Sequence, residues 1–359
     1  MPTDLINPAP RRSSRRIYLP TILFALVAIA WSGFWWYAST RLEAEWNRFV
    51  SKQAELGRQI KCGEQTIAGY PFRLEMHCGQ ATVESLRGGR PFSAALAEVN
   101  AVAQVYQPNK VLLQAKGPVT LVDKSDAGAT LTADWKSAEA SMSIWTSGPQ
   151  NAAVVIKGLS GNVKRGDQAV NLVEEGNVEI HIRLAEGTNA APGAYDLAAD
   201  VDAKAVAPLD DFLGSPSPMK ATFRGLITKI DLRPMPMPER LRDWAAAGGA
   251  LSISQAQVER GPSIVKATGT IGLETSGFPS GELTVALAGV PELAQTLKQS
   301  GRVPDMVATT LTVGLPVLGK PSNIDGKAAV EVPLTIADGK VRAGAFLPGL
   351  KLPRLFLPE

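Results

Sequence analysis

Residues 17–40 carry no charge, and Arg11, Arg12, Arg15 and Arg16 stand just before them. The run reads IYLPTILFALVAIAWSGFWWYAST. At about 1.5 Å of rise per residue, such a helix reaches about 36 Å, enough to cross a hydrocarbon layer about 30 Å thick. After the run, Arg41 and Arg48 are balanced by Glu43 and Glu45. Excess Lys and Arg stays on the cytoplasmic side, so the N-terminus is predicted inside and everything after about Thr40 outside. Trp31, Trp35, Trp36 and Tyr37 fall at the exit end, where amphipathic rings form an interfacial belt.

A cleaved signal peptide is the competing reading, because Ala28-Ile29-Ala30 has the small-x-small form of a cleavage site. The apolar run continues past it to Trp36, whereas a cleavage site follows an apolar core. The expectation is therefore an uncleaved anchor, and either reading exports the body. The arginine flank argues against a helix buried in a soluble core.

The remaining roughly 320 residues are enough for one large or two moderate domains. The chain is 45% hydrophobic and 20% charged, so it can build a core. Residues 1–16 hold four arginines and Asp4, which accounts for the whole net charge of +3 and leaves the rest neutral. No global basic field recruits nucleic acid. The basic tail instead suits anionic lipid headgroups.

Cys62 and Cys78 both fall in the exported part, where oxidation is permitted. A bridge closing a loop of this size contributes roughly 3 kcal/mol in the chain-entropy model. Disulfide pairing is the expectation, and two free thiols the alternative. His77 adjoins Cys78, but a full metal-ligand set is not visible.

Residues 41–57 keep a helical pattern through Leu42, Trp46, Phe49 and Leu56, with Gly57 as the stop. From about Ile60 the period becomes two. Residues 179–184 and 329–336 alternate polar and apolar, as do Leu283, Val285 and Leu287, and Leu311, Val313, Leu315 and Val317. These patterns predict strands with one face buried and one face wet. Turn signals recur at 116–118, 126–128, 147–149, 165–167, 192–193, 280–281 and 338–340. The predicted fold is mainly β: a large, predominantly antiparallel, curved sheet with a few short helices. Helices are expected at 238–247, at 291–299 and, short, at 205–213. The apolar, proline-broken 350–357 reads as an edge strand or docked tail.

This divides the chain into a cytoplasmic tail (1–16), an anchor (17–38), a helical stalk (39–59) and two β-rich halves (60–213 and 219–359). The Pro-rich stretch 214–218 is the candidate boundary, and one continuous sheet is the alternative.

Catalytic motifs are missing. HExxH, GxSxG, P-loop and CxxC do not occur. His181 falls on a strand's polar face. Glu174-Glu175 and Asp210-Asp211 are sequence neighbours and read as loop charges. The glycine pairs at 158–161 and 269–272 read as turns or bulges. The expectation is no enzyme, no cofactor and no metal. The distinctive motif is Gly69-Tyr70-Pro71-Phe72-Arg73, inside the Cys62–Cys78 interval. It suits a tight turn between two strands whose register the disulfide locks.

The same residues carry a resemblance. An apolar anchor, a helical stalk, a cysteine, Gly69 to Arg73 and a second cysteine resemble the domain of unknown function 2125 family. Matching stretches are 248–253, 267–273, 277–281 and 338–344 followed by Pro348. The resemblance implies a single-anchor protein of the bacterial inner membrane with a periplasmic body, and implies no catalytic residues. At the level of architecture the chain also resembles AsmA-like envelope proteins, which implies a curved sheet with an apolar groove for acyl chains. Two functions follow as expectations: lipid handling in envelope maintenance, or a scaffold that binds another envelope protein. Partners are accordingly inner-membrane lipids through the anchor, with a lipid ligand or envelope protein on the body.

Overall fold

The computed structural model describes residues 15–85, 91–125, 128–145, 148–186, 193–213, 216–233, 235–301, 306, 310–343 and 350–357. The chain opens with one helix, α1 (Arg15–Glu55), and Gly57 turns it with a left-handed φ of 81°. The helix ends at Glu55 and strand starts at Arg58, so the stalk is slightly shorter than its predicted 39–59 span.

Among the described residues nineteen strands follow in a single antiparallel sheet. They are β1 (Arg58–Lys61), β2 (Glu64–Ala68), β3 (Arg73–Ser85), β4 (Phe92–Gln104) and β5 (Gln107–Asp123). Next come β6 (Thr130–Asp134), β7 (Ser137–Trp145), β8 (Gly148–Arg165), β9 (Gln168–Leu184) and β10 (Tyr195–Ala203). The sheet continues with β11 (Ala205–Val206), β12 (Met219–Ile227), β13 (Ala250–Arg260), β14 (Ser263–Leu273) and β15 (Pro279–Ala288). It closes with β16 (Lys320–Ile324), β17 (Lys327–Ala337), β18 (Lys340–Arg342) and β19 (Leu350–Lys351). Short helices interrupt it: α2 (Ala207–Leu213), α3 (Met237–Ala246), α4 (Val290–Ser300) and α5 (Leu315–Leu318).

The connectivity is a meander. Most strands pair with their sequence neighbours, and the short β1 and β2 share one edge of β3. Across the 214–218 stretch, β10 pairs with β12 over nine residues, from Tyr195↔Ile227 to Ala203↔Met219. At the far end β17 lies between β15 on one side and β16 and β18 on the other.

The accessible surface is 23295 Å². A globular chain of 38.0 kDa exposes roughly 14,000 Å². The largely exposed α1 and strands that are mostly only half-buried contribute to the excess. A two-sided core exists near the C-terminal strands. There Ile264, Ala286, Ala288, Ile324 and Ala329 are buried together, and α4 buries Val290, Ala294 and Leu297.

Several local expectations change. Leu311 to Val317 was predicted as a strand from its alternation. The structure instead has a π-helical stretch, Thr310–Gly314, running into α5. Pro316 has no N–H for a ladder, and β16 and β18 already occupy that edge of β17. Lys116-Gly117-Pro118 is not a turn but lies inside β5. There the strand exchanges β7 for β6 as partner, opposite a register shift at Leu96/Glu98. Ser280-Gly281 lies inside β15, the turn being at 274–278. Glu174-Glu175 belongs to β9, at a residue of left-handed φ. Asp210 is no loop charge. It sits on α2 and meets Arg260 at 2.6 Å, both side chains about nine-tenths buried, while accepting the Val206 N–H. The turn signals at 126–127, 147 and 192 and the closing match at 344 and 348 lie outside the described residues.

Removing one partner of a buried ion pair leaves an uncompensated charge. Arg260→Leu is expected to lower unfolding stability by about 3 kcal/mol, read by urea denaturation. An unchanged midpoint would mean the pair contributes nothing.

Candidate functional site

The site is built from strand alternation. Residues directly opposite in an antiparallel pair share a face, so register carries a side-chain row across the sheet. One such row runs Met76, Ala101, Leu113, Ala140, Val154, Ile180, Ala199, Phe223, Ala256, Ala267, Val285, Val332. It crosses twelve strands without a polar side chain. The row on one side runs from Leu74 through Val111, Ile182 and Ile253 to Leu334. The row on the other side runs from Cys78 through Ala115, Val178 and Val258 to Val330. Both are apolar or glycine throughout, apart from the bonded cysteine. Register shifts at Ile156/Leu159, Arg224/Gly225 and Ile253/Ala256 leave the rows unbroken, because each extra residue is taken up where it preserves the inward set.

This face is incompletely covered. Leu113, Met142, Val154, Ile180, Val258 and Val265 are each 36–41% exposed. The opposite face is polar over β3 to β12, where one of its rows reads His77, Asn100, Gln114, Glu139, Val155, Glu179, Asp200, Thr222. Towards the C-terminal strands that face instead carries the buried Ile264, Ala286, Ala288 and Ala329.

A groove of about 830 Å³ crosses β8, β9, β10, β12 and β13. Its polar side chains His181, Arg183, Asp196 and Arg224 belong to the polar face. Arg183 pairs with Asp196 at 2.9 Å, Arg224 with Asp200 at 2.7 Å, and His181 Nε2 with Glu179 at 2.6 Å. The Arg224 guanidinium holds the Asp200 carboxyl below its ordinary range. Two of these contacts, Arg183–Asp196 and Arg224–Asp200, join opposite charges. His77 contacts Asn100 through Nδ1 at 2.7 Å. Among the described residues no group of three or more His, Cys, Asp or Glu is arranged to hold a metal.

The motif residues lie elsewhere. Cys62 and Cys78 form the disulfide, which ties the β1–β2 link to β3. Gly69 to Phe72 make the β2–β3 turn, and Arg73 starts β3. Gly69 has φ 102°, and a Cβ there would stand 2.7 Å from the Arg73 carbonyl oxygen, so only glycine fits. The turn also docks on α1, which the sequence did not reveal. Trp31 Nε1 donates to the Pro71 carbonyl at 2.8 Å, and Trp35 Nε1 donates to the Arg73 carbonyl at 2.8 Å. The Ser32 and Tyr70 hydroxyls share a hydrogen bond of 2.8 Å. The Trp35 and Tyr70 rings meet edge to face at 5.5 Å, and Trp31 lies 6.1 Å from Phe72. Among the described residues α1 alone is long and apolar enough to cross a membrane.

Residues 35–353 match the model of a family described as an uncharacterized protein conserved in bacteria (DUF2125). Neither the curated proteins nor the solved structures contain a match.

Two outcomes are expected. Replacing both Trp31 and Trp35 by Phe keeps the rings but removes two donors, at about 1 kcal/mol each. Backbone amides of the 69–73 turn should then exchange roughly thirty-fold faster in hydrogen–deuterium exchange, and unchanged exchange would contradict the docking. For the groove, a depressed carboxylate contributes stability above its ordinary range and loses it as pH falls through its lowered value. Arg224→Met should bring the Asp200 titration back up, seen as a carboxyl ¹³C shift. A titration that stays low would assign the depression to another group.

Proposed function

We propose, for a chain that belongs to the DUF2125 family of bacterial proteins, that its apolar sheet face receives lipid acyl chains beside the membrane that α1 spans. In this reading α1 is a single-pass anchor of the inner membrane. The arginines at 11–16 hold the N-terminus in the cytoplasm, and the sheet stands in the periplasm. The body acts by binding rather than by covalent catalysis, in line with the pairing of Arg183 with Asp196 and of Arg224 with Asp200.

The observation that carries this reading is the set of three uninterrupted apolar rows with an uncovered middle. Each of the six half-exposed aliphatic residues leaves about 1 kcal/mol of burial unrealised. An acyl chain laid across the strands meets only hydrocarbon, with no donor or acceptor to desolvate. The rows also begin on β3, the strand whose first residue Arg73 is bonded to Trp35 of α1. That arrangement gives a lipid leaving the bilayer a continuous apolar path from the anchor outwards.

The test is photo-crosslinking in cells, with a benzophenone amino acid at Ile180 and, as the opposite-face control, at Glu179. Ile180 lies five strands from β3, about 24 Å along the sheet and away from the anchor. Phospholipid adducts at 180 and not at 179 are the expected result. A single polypeptide captured at 180 in place of lipid would overturn the reading in favour of a scaffold. Ile180→Asp, tested with the same probe at Val154, should abolish the lipid adduct there.

A further inference from the structure

The docking of the β2–β3 turn on α1 fixes a depth for the sheet. Trp31 lies fifteen residues beyond Arg16 and Trp35 nineteen. At about 1.5 Å per residue these are about 22 Å and 28 Å past the arginine flank, against a hydrocarbon thickness of about 30 Å. The carbonyls of Pro71 and Arg73, bonded to those two indoles, share those levels. The turn therefore does not stop above the membrane if α1 spans it.

The residues at this level have the chemistry of an interface. Tyr70 is 57% exposed, Phe72 60% and Tyr106 60%. Tyr106 occupies the β4–β5 turn, brought alongside because the Val105 N–H donates to the Phe72 carbonyl at 3.0 Å. Trp36 and Tyr37 on α1 are also exposed at this height. Three aromatic side chains standing in water at two adjacent turns are costly, whereas amphipathic rings are favoured at the headgroup boundary. The first charged groups beyond the turn, Arg73 and Glu75, pair with each other at 3.0 Å. They limit the depth to the tip itself, within the roughly 5–10 Å typical of interfacial burial.

We infer that the tips of the first two hairpins, carrying Tyr70, Phe72 and Tyr106, are inserted into the outer leaflet of the bilayer beside α1. This rests on the anchor reading above and is independent of whether the sheet carries lipid. The occupant is the lipid surface itself. The insertion sets the opening of the apolar rows, at Leu74 and Met76, one or two residues above the leaflet.

Depth measurements on the full chain test this. Among the described residues both cysteines are bonded to each other, so an introduced cysteine supplies the thiol for a spin label. Tyr106→Cys, Ser125→Cys and Val27→Cys variants are labelled and reconstituted in vesicles of phosphatidylethanolamine and phosphatidylglycerol. Collisions with oxygen and with a water-soluble nickel chelate then report depth. Position 125 lies at the opposite end of β5, about 60 Å away along the strand. Oxygen collisions should dominate at 27 and 106, and nickel collisions at 125. Nickel-dominated relaxation at 106 with oxygen-dominated relaxation at 27 would overturn the insertion while leaving the anchor intact. Nickel dominance at 27 would overturn the anchor and the insertion together.

Discussion

Register is the constraint on which the structure depends. With a side-chain period of two, a one-residue slip of any single strand moves its whole apolar set to the other face. A slip of β9 would place Glu179, His181 and Arg183 between the neighbours of Val154 and Ala199. The twelve strands tolerate no such error, since each apolar row is continuous only when every pairing is in place. The register shifts at the bulges are accommodated without loss of that continuity. They let the sheet bend where Gly158 and the Arg224/Gly225 step relax it.

At the anchor end the register is held by the disulfide and the β2–β3 turn. Cys62–Cys78 pins β3 against the link between the two strands that share its edge. The turn then fixes the end of β3 against Trp31 and Trp35. A helix that meets a sheet through three hydrogen bonds and two ring contacts is oriented by it, not merely tethered to it. Sheet position, sheet register and helix depth thus form one chain of contacts from α1 to β3 to the remaining ladder.

Much of this was legible in the sequence because it is local. The charge-free run, the cysteine pair and the alternation at 179–184 and 329–336 each report a property of consecutive residues, and each appears in the structure. The glycine after α4 and the proline inside it mark that helix correctly. Alternation misled at 311–317, where it lacked a free edge to pair with and met Pro316. It also could not show that the apolar residues of twelve strands fall into line, because row membership depends on pairing and not on any one strand. Likewise Trp31 and Trp35 read as interfacial residues, and nothing in consecutive sequence shows that their N–H groups reach carbonyls about forty residues away. Asp210 and Arg260 are hidden for the same reason: fifty residues separate two side chains that meet in the interior.

What the fold provides is a long apolar surface that its own described elements leave partly open, joined at one end to a helix fit to span a membrane. The most direct measurement is a cryo-electron microscopy map of the full chain in lipid nanodiscs, at side-chain detail. Elongated acyl-chain density lying across the strands over Leu113, Val154 and Ile180, outside the bilayer, is the expected result. A face sealed there by protein, from this chain or a second copy, would contradict the account.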